Sequence, residues 1–408
     1  MDNAESLHSN QHKLTDLKSF ARSQNGDITQ ISTPKNLPIP ALDILSKKFR
    51  IEPYREADFY IAEIQNVWPL FDRYFTDGNV LIHGGLNYNE YTINLPGVDP
   101  GGTGAGAEYF QGKRDIQELI SSSPRPNDSH PHGFWIHGGS GPAFFGHWLW
   151  EHLTKFVLLD TLGRLHEAPC FVTNALPKRF LDWLELLFDK RPTISFVDPV
   201  KSPTLFQSVE IISTPIYRSR HGGDLCVAED TLQRLRELGR QRAGATSIVD
   251  ATPRNKPRAL WIERNSPWRN LLNSAEIIDI TRQYFDVDFI AMEKLTPKEQ
   301  ILAIQPYDLL IGPSGSSMPI SVFASPHSVV LEFFNPRNTG RLAAKLFCDF
   351  FKIPHVRVDG TIVGNQNGPT HTDFDNVVDT AGYPQVIEAV SEYAKTNVRR
   401  RANHDFFS

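Results

Sequence analysis

The chain reads as an α/β protein built from two domains with a cleft between them. Three observations predict this. Past residue 130, short β-rich apolar runs alternate with helix-length segments, the order that builds parallel sheets covered by helices. The length of 408 residues, 40% of them hydrophobic, is enough for two separate cores. Between two such alternating blocks lies "ATPRNKPR" (251–258), a proline-rich, basic stretch that reads as an interdomain linker. The resulting division is an N-terminal arm (1–45), an N-terminal α/β domain (46–250), a C-terminal α/β domain (251–385) and a terminal helix and tail (386–408).

The arm is polar and then proline-rich ("TPKNLPIPAL"), which predicts a mobile or extended strap. A glycine-rich interruption follows at 88–112. Its "GGTGAGA" looks like a dinucleotide fingerprint, but no β-rich run leads into it and no strong helix follows, so it reads as a flexible loop. Next come a strand at "GFWIHGG", a helix over 145–161, a strand at "APCFVTN" and a helix over 178–188. Strands at "TISFVD" and "SVEIIS" precede a charged helix over 228–242. The second block repeats the pattern: "RALWIER", helix 274–284, "VDFIAM", helix 297–305, "DLLIGPS", a short helix 316–323, "SVVLEFF", helix 340–351 and "HVRVDG". The last helix, 383–401, ends in "RRR", which suits the negative end of a helix dipole.

Composition narrows the function. A formal net charge of −5 shows no global bias toward nucleic acid or anionic membrane. Three widely spaced cysteines make no disulfide framework and fit a reducing compartment. The N-terminus lacks the apolar core of a signal peptide, and no run approaches the length of a membrane span. The expectation is a cytoplasmic protein.

Two segments of the second block carry anion-binding chemistry. "IGPSGSSM" (311–318) follows an apolar strand and opens a helix, so Ser314, Gly315, Ser316 and Ser317 expose backbone N–H groups where a phosphate is favoured. An ordinary strand-to-helix turn has the same composition. In "WIERNSPWRNLLNSAE" (261–276), Arg264 and Arg269 lie just past a strand end and could hold a diphosphate bidentately; solvated arginines are the plain alternative. Asn273 or Ser274 could cap the following helix. Glu332, in the apolar "VVLEFFNP", needs a specific partner, either ribose hydroxyls or one of the arginines.

In the first block, "FFGHWLWEHL" places His147 and Glu151 four residues apart, on one helical face; His152 points elsewhere. The spacing H-x-x-x-E-H is one residue too long for a zinc pair, so no metal is expected there. A carboxylate one turn from an imidazole suits a general base near neutral pH. A core histidine tying the helix to a loop is the structural alternative. "DVD" (286–288) mimics a metal motif but reads as a solvated turn.

The succession "ER…R…N..E", "EQI" (299–301), "DLLIGPSGSSMPISVF" and "VVLEFFNP", with "FFGHWLWEHL" upstream, resembles glycosyltransferase family 61, which includes bacterial capsular-polysaccharide proteins. The resemblance spans roughly 134–360 and is strongest over 258–336. It implies a GT-B-like pair of Rossmann-type domains and inversion at the anomeric carbon; with "DVD" read as a solvated turn, no metal or other cofactor is expected. It also implies a nucleotide-sugar donor held on the C-terminal domain and a glycan acceptor. It places Arg264, Arg269, Asn273 and Glu332 in or near the donor site. Peripheral association with a membrane-bound polysaccharide assembly goes with it. One position departs: the family usually reads Gly-x-His-Gly-Ala-Gly-Leu in the glycine loop, and here Ser314 replaces the histidine.

Two other classes compete. A non-catalytic sugar- or nucleotide-binding homologue would fit the loss of that histidine. A serine hydrolase would use Ser314 on its turn with one of the "HGG" loops (His83, His137, His221), but a nucleophile elbow needs glycine where Ser316 stands.

Overall fold

A computed structural model describes residues 14–32, 54–56, 59–71, 74–79, 81–83, 120–136, 145–173, 175–199, 201–213, 216–218, 225–245, 255–267, 269–315, 317–335, 343–364 and 374–404. The "GGTGAGA" loop, His137, His221 and Ser316 lie outside the described residues. So does the first half of the 251–258 stretch. The described chain forms two compact units, one ending at Leu235 and one beginning at Arg236, so the division falls inside helix Glu229–Ala243.

The first unit is organised by a mixed sheet. Strands β1 (Leu14–Asp16), β2 (Ile28–Ser32), β4 (Phe59–Phe71), β5 (Tyr74–Thr76) and β6 (Leu81–His83) form its first part. Strands β7 (Asp128–His130), β8 (Phe134–Trp135), β9 (Cys170–Val172), β10 (Ile194–Phe196) and β11 (Thr204–Ile212) form the rest. The principal strand order is β1-β6-β5-β4-β11-β8-β9-β10. The expected parallel arrangement holds for β8, β9, β10 and β11, whereas β4 runs antiparallel to β11. A separate small sheet joins β3 (Tyr54–Glu56), β12 (Ile216–Arg218) and β13 (Leu225–Val227).

Part of the stretch read as an arm is built into this sheet. Between β1 and β2, helix α1 (Leu17–Ser23) buries Phe20 and Ala21 in the core around Tyr60, Ile64 and Trp135, while β2 pairs with β4. The polar composition concealed this because only one short stripe of the segment is apolar. Glu63 and Glu210 face each other across β4 and β11, a repulsive cross-strand pair. Ser208 donates to Glu63 (2.6 Å), His132 lies 3.2 Å from Glu210, and Arg164 grips Glu210 through two bonds of 2.7 and 2.6 Å.

The long helix α2 comprises α-helical Phe145–His147, a π-helical turn Trp148–His152 and α-helical Leu153–Thr161. The Leu153 N–H bonds to the Trp148 carbonyl, one residue further back than in an α-helix. Leu153 to Leu159 are all buried. Trp148 stacks on Phe180 of helix α3 (Lys178–Leu187), with ring centroids 4.8 Å apart and planes 2° from parallel.

The second unit contains the five-stranded parallel sheet: β14 (Arg258–Ile262), β15 (Asp286–Ile290), β16 (Leu309–Pro313), β17 (Val329–Phe334) and β18 (His355–Asp359). Its order, β15-β14-β16-β17-β18, is 2-1-3-4-5 within the unit. Such an order reverses direction between its first and third strands, which leaves a crevice at their carboxyl ends. Helix α4 is Glu229–Ala243, α5 is Ser274–Tyr284, α6 is Pro297–Ile304, α7 is Ala343–Phe350 and α8 is Tyr383–His404. On one face, Ile277 of α5 and Tyr383, Ile387 and Val390 of α8 pack over Trp261, Ile311, Leu331 and Phe333.

The sequence placed a short helix over 316–323, and the structure has a six-residue 3₁₀ segment, Met318–Phe323. At six residues it is too short to build a sizeable macrodipole. The end of this segment is gripped from α4. Arg236 donates to the Val322 carbonyl and to that of Ala324 (2.5 Å), and Arg240 donates to that of Phe323 (3.0 Å). "DVD" is a second difference: it begins edge strand β15 rather than a turn, and Asp288 accepts from Arg258 (2.8 Å) and Tyr307 (2.9 Å).

Candidate functional site

The crevice of the parallel sheet lies where β14 and β16 end, and the two segments singled out in the sequence leave the sheet at those points. Arg264 follows β14 by two residues and turns onto the chain leaving β16, where its Nη1 donates to the Ser314 carbonyl (3.3 Å). The Ser314 N–H is itself bonded to the Phe333 carbonyl of β17 (2.8 Å), so the turn is tied to its neighbouring strand. A Cβ on Gly315 would lie 1.9 Å from Arg264 Nη1, far inside van der Waals contact. Glycine at 315 is therefore what lets the guanidinium lie against the turn. Ser317 carries the chain into the 3₁₀ segment, with φ −82° and ψ −29°. Since that segment is short, backbone N–H groups and Arg264 are better suited than a helix dipole to draw an anion there.

Arg269 has φ 60°, a left-handed conformation that is unusual for a residue with a side chain. Asn273, at the N-cap of α5, makes no side-chain capping bond. Its amide instead donates to the Val378 carbonyl (2.8 Å) and accepts from the Val378 N–H (3.1 Å). The residue ties the loop down by this pair rather than by capping.

Glu332 meets neither arginine. It alternates with Leu331 and Phe333, which enter the core beneath α5 and α8, so it points to the opposite face. There His355 Nε2 lies 2.8 Å from its Oε2, with both side chains 3% exposed. This corrects the expected pairing with one of the arginines. Two strands run side by side in the fold, and His355 lies outside the motif that drew attention to Glu332. Its strand register places Glu332 directly beside Gly312, one strand from the glycine turn.

In the first unit, His147 Nδ1 is 2.6 Å from Glu151 Oε1, as the four-residue spacing predicted. Trp150 Nε1 donates to the same oxygen (3.1 Å), and its ring meets that of His147 edge-on at 5.3 Å. The Glu151 side chain is 5% exposed and that of His147 22%, so the imidazole is the accessible member of the pair. Burial pushes the Glu151 carboxyl up, but the charge and hydrogen bond of His147, with smaller help from His152 and Trp150, bring it down to about 2. Glu151 Oε2 is buried with no hydrogen-bond partner among the described residues.

His152 is buried beside these groups. Burial pulls its pKa down to about 4, against the upward pull of Glu151, and Lys155 adds to the fall. Lys155, one turn beyond Glu151, is fully buried and donates to the Ile136 carbonyl at the end of β8 (2.9 Å). Sequence reasoning passed over Lys155, although its four-residue step from Glu151 was a visible signal. It also missed Trp150, whose role depends on side-chain direction.

These features define an α/β protein with a glycine turn and an arginine at the crevice of a parallel sheet, and a paired histidine and glutamate on a π-turn helix. Residues 145–331, somewhat under half of the chain, match the family model described as Glycosyltransferase 61. The matched segment runs from the start of α2 into β17 and contains both His147 and the Arg264–Gly315 contact. The match supports glycosyltransferase family 61 and, with it, glycosyltransferase chemistry in general. No curated protein matches the chain.

Two predictions follow from this geometry. His152 is held neutral in the folded chain and takes up a proton on unfolding, so stability falls as pH drops from about 6.5 toward 4. The loss from this group is about 2 kcal/mol at pH 5. His152→Gln should flatten the dependence of Tm on pH between 5 and 7, and an unchanged slope would exclude His152 as its source. Gly315→Ala should displace Arg264 and weaken anion binding about tenfold or more, with Tm nearly preserved because the arginine end can swing outward. Calorimetric titration with pyrophosphate reads the first effect and a melting curve the second.

Proposed function

We propose that the protein is an inverting, metal-independent glycosyltransferase that moves a sugar from a nucleotide-sugar donor to a hydroxyl acceptor. The observation that carries this reading is the Arg264–Gly315 contact at the sheet crevice, inside the segment that matches Glycosyltransferase 61. Arg264, Arg269 and the turn at 314–317 bind the donor diphosphate and stabilise it as it leaves. Asn273 holds the loop that carries Arg269. Glu332, bonded to His355, supports the turn from the adjoining strand. The donor side belongs to the second unit and the acceptor side to the first, the division of labour of a GT-B-like enzyme.

Inversion is a single displacement, so a base must remove the acceptor's proton as its oxygen attacks. His147 takes that role: it is the more exposed partner, and Glu151 orients the ring and stabilises the imidazolium that forms. Motif resemblance supports a polysaccharide or glycoconjugate acceptor at the edge of a membrane-bound assembly, and the three widely spaced cysteines are the ground for a cytoplasmic location. No helix of the described residues is long and apolar enough to cross a membrane.

A second reading, a binding homologue without turnover, is favoured by Ser314, whose hydroxyl stands where the family carries an ionisable imidazole. A thermal-shift screen against UDP, GDP, CMP, dTDP and their sugar conjugates tests the first reading. A nucleotide that binds the folded state should raise Tm, and Arg264→Ala should abolish the shift. Binding without transfer across a broad acceptor panel would favour the second reading, and no shift with any nucleotide, with candidate glycans present, would count against the first. For the base, His147→Gln keeps an N–H donor for Glu151 and avoids stranding a buried charge, a loss of about 3–5 kcal/mol. It should lower kcat by roughly 10²–10⁴ with Tm nearly unchanged. Normal kcat would return His147 to a structural role.

A further inference from the structure

The loop from Arg264 to Asn273 carries both arginines, and its second half is bound to a segment outside the matched region. Asp375 Oδ1 accepts from the Asn270 backbone N–H (2.6 Å) and from Asn270 Nδ2 (3.1 Å). Asn376 N–H donates to the Asn270 carbonyl and Leu272 N–H donates to that of Asn376, both at 2.9 Å. The Asn273–Val378 pair completes the seam. Asp375 opens strand β20 (Asp375–Val377), which pairs antiparallel with β19 (Thr361–Val363), so the carboxylate stands on a paired strand.

The two Asp375 bonds fall on the residue immediately after Arg269, the residue with φ 60°. A left-handed conformation at an arginine persists only where its surroundings enforce it. The seam fixes the peptide on the C-terminal side of Arg269, and without the carboxylate the Asn270 N–H would lose its acceptor. A relaxed φ would swing the Arg269 side chain away from the direction it now takes.

We propose that Asp375 is a positioning residue for the donor site, holding Arg269 in the left-handed conformation that presents its guanidinium to the donor diphosphate. The inference rests on the donor-site reading above. It adds that the site depends on a side chain beyond residue 331, where the family match ends.

The test uses the full chain as D375A, D375N, R264A, R269A and the double variant D375A/R269A. Amide exchange at Asn270 and calorimetric Kd values for inorganic pyrophosphate and UDP are measured on each. In D375A, exchange at Asn270 should accelerate and pyrophosphate binding weaken about tenfold. D375N keeps an acceptor oxygen and should restore both. The double variant should bind no more weakly than R269A, because Asp375 acts through Arg269. Additive losses, or wild-type binding by D375A while R269A is impaired, would overturn the inference. If R269A and R264A both bind as wild type does, the donor-site reading fails, whereas unchanged exchange in D375A refutes the clamp alone. Should D375A fail to fold, Asn270→Ala removes one of the two bonds and must shift binding in the same direction.

Discussion

The central strands of the second unit's parallel sheet are buried on both faces, and much else follows from that constraint. Strands such as Val329–Phe334 have no solvated side, so helices must cover each face and connections must leave in both directions from β14. The reversal opens a crevice between β14 and β16, and polar chain can gather there without interrupting the core. Arg264 and the Ser314–Gly315 turn occupy that position. Gly312, deeper in β16, has its own reason to lack a side chain, since a Cβ there would lie 2.6 Å from the Ile262 carbonyl.

A comparable constraint acts on helix α2. A carboxylate in an apolar helix must have a partner, and Glu151 has two, His147 and Trp150, on one oxygen. The π-helical turn changes the angular step between His147 and the residues beyond it. It accompanies the packing of Trp148 on Phe180 and the burial of both His152 and Lys155. Charged and apolar groups thus share one stretch of helix because its geometry is locally altered.

The alternation of strands and helices was legible because side-chain periodicity is a local property. The helix Ser274–Tyr284 and the strands around it lie where the pattern put them. The Thr296–Glu299 capping box that starts α6 is likewise a local signal. Less legible were residues 14–32, where a short apolar stripe of α1 and the pairing of β2 with β4 outweigh a polar composition. "DVD" misled for a related reason: acidic residues on an edge strand resemble a turn until their partners Arg258 and Tyr307 are known.

The sequence by itself determined the residue types of the candidate site and the local spacing of His147 and Glu151. It also determined the positions of Arg264 and the glycine turn, each just past the end of a strand. Local bonding rules and strand-end chemistry act over a few residues and leave their trace in order. Only the tertiary structure decided that Arg264 lies on Gly315, that Glu332 pairs with His355, and that Asp375 holds the residue after Arg269. Those contacts join residues that are distant in sequence through parallel strands and loop seams. Their partners are selected by register and burial, which no linear pattern records.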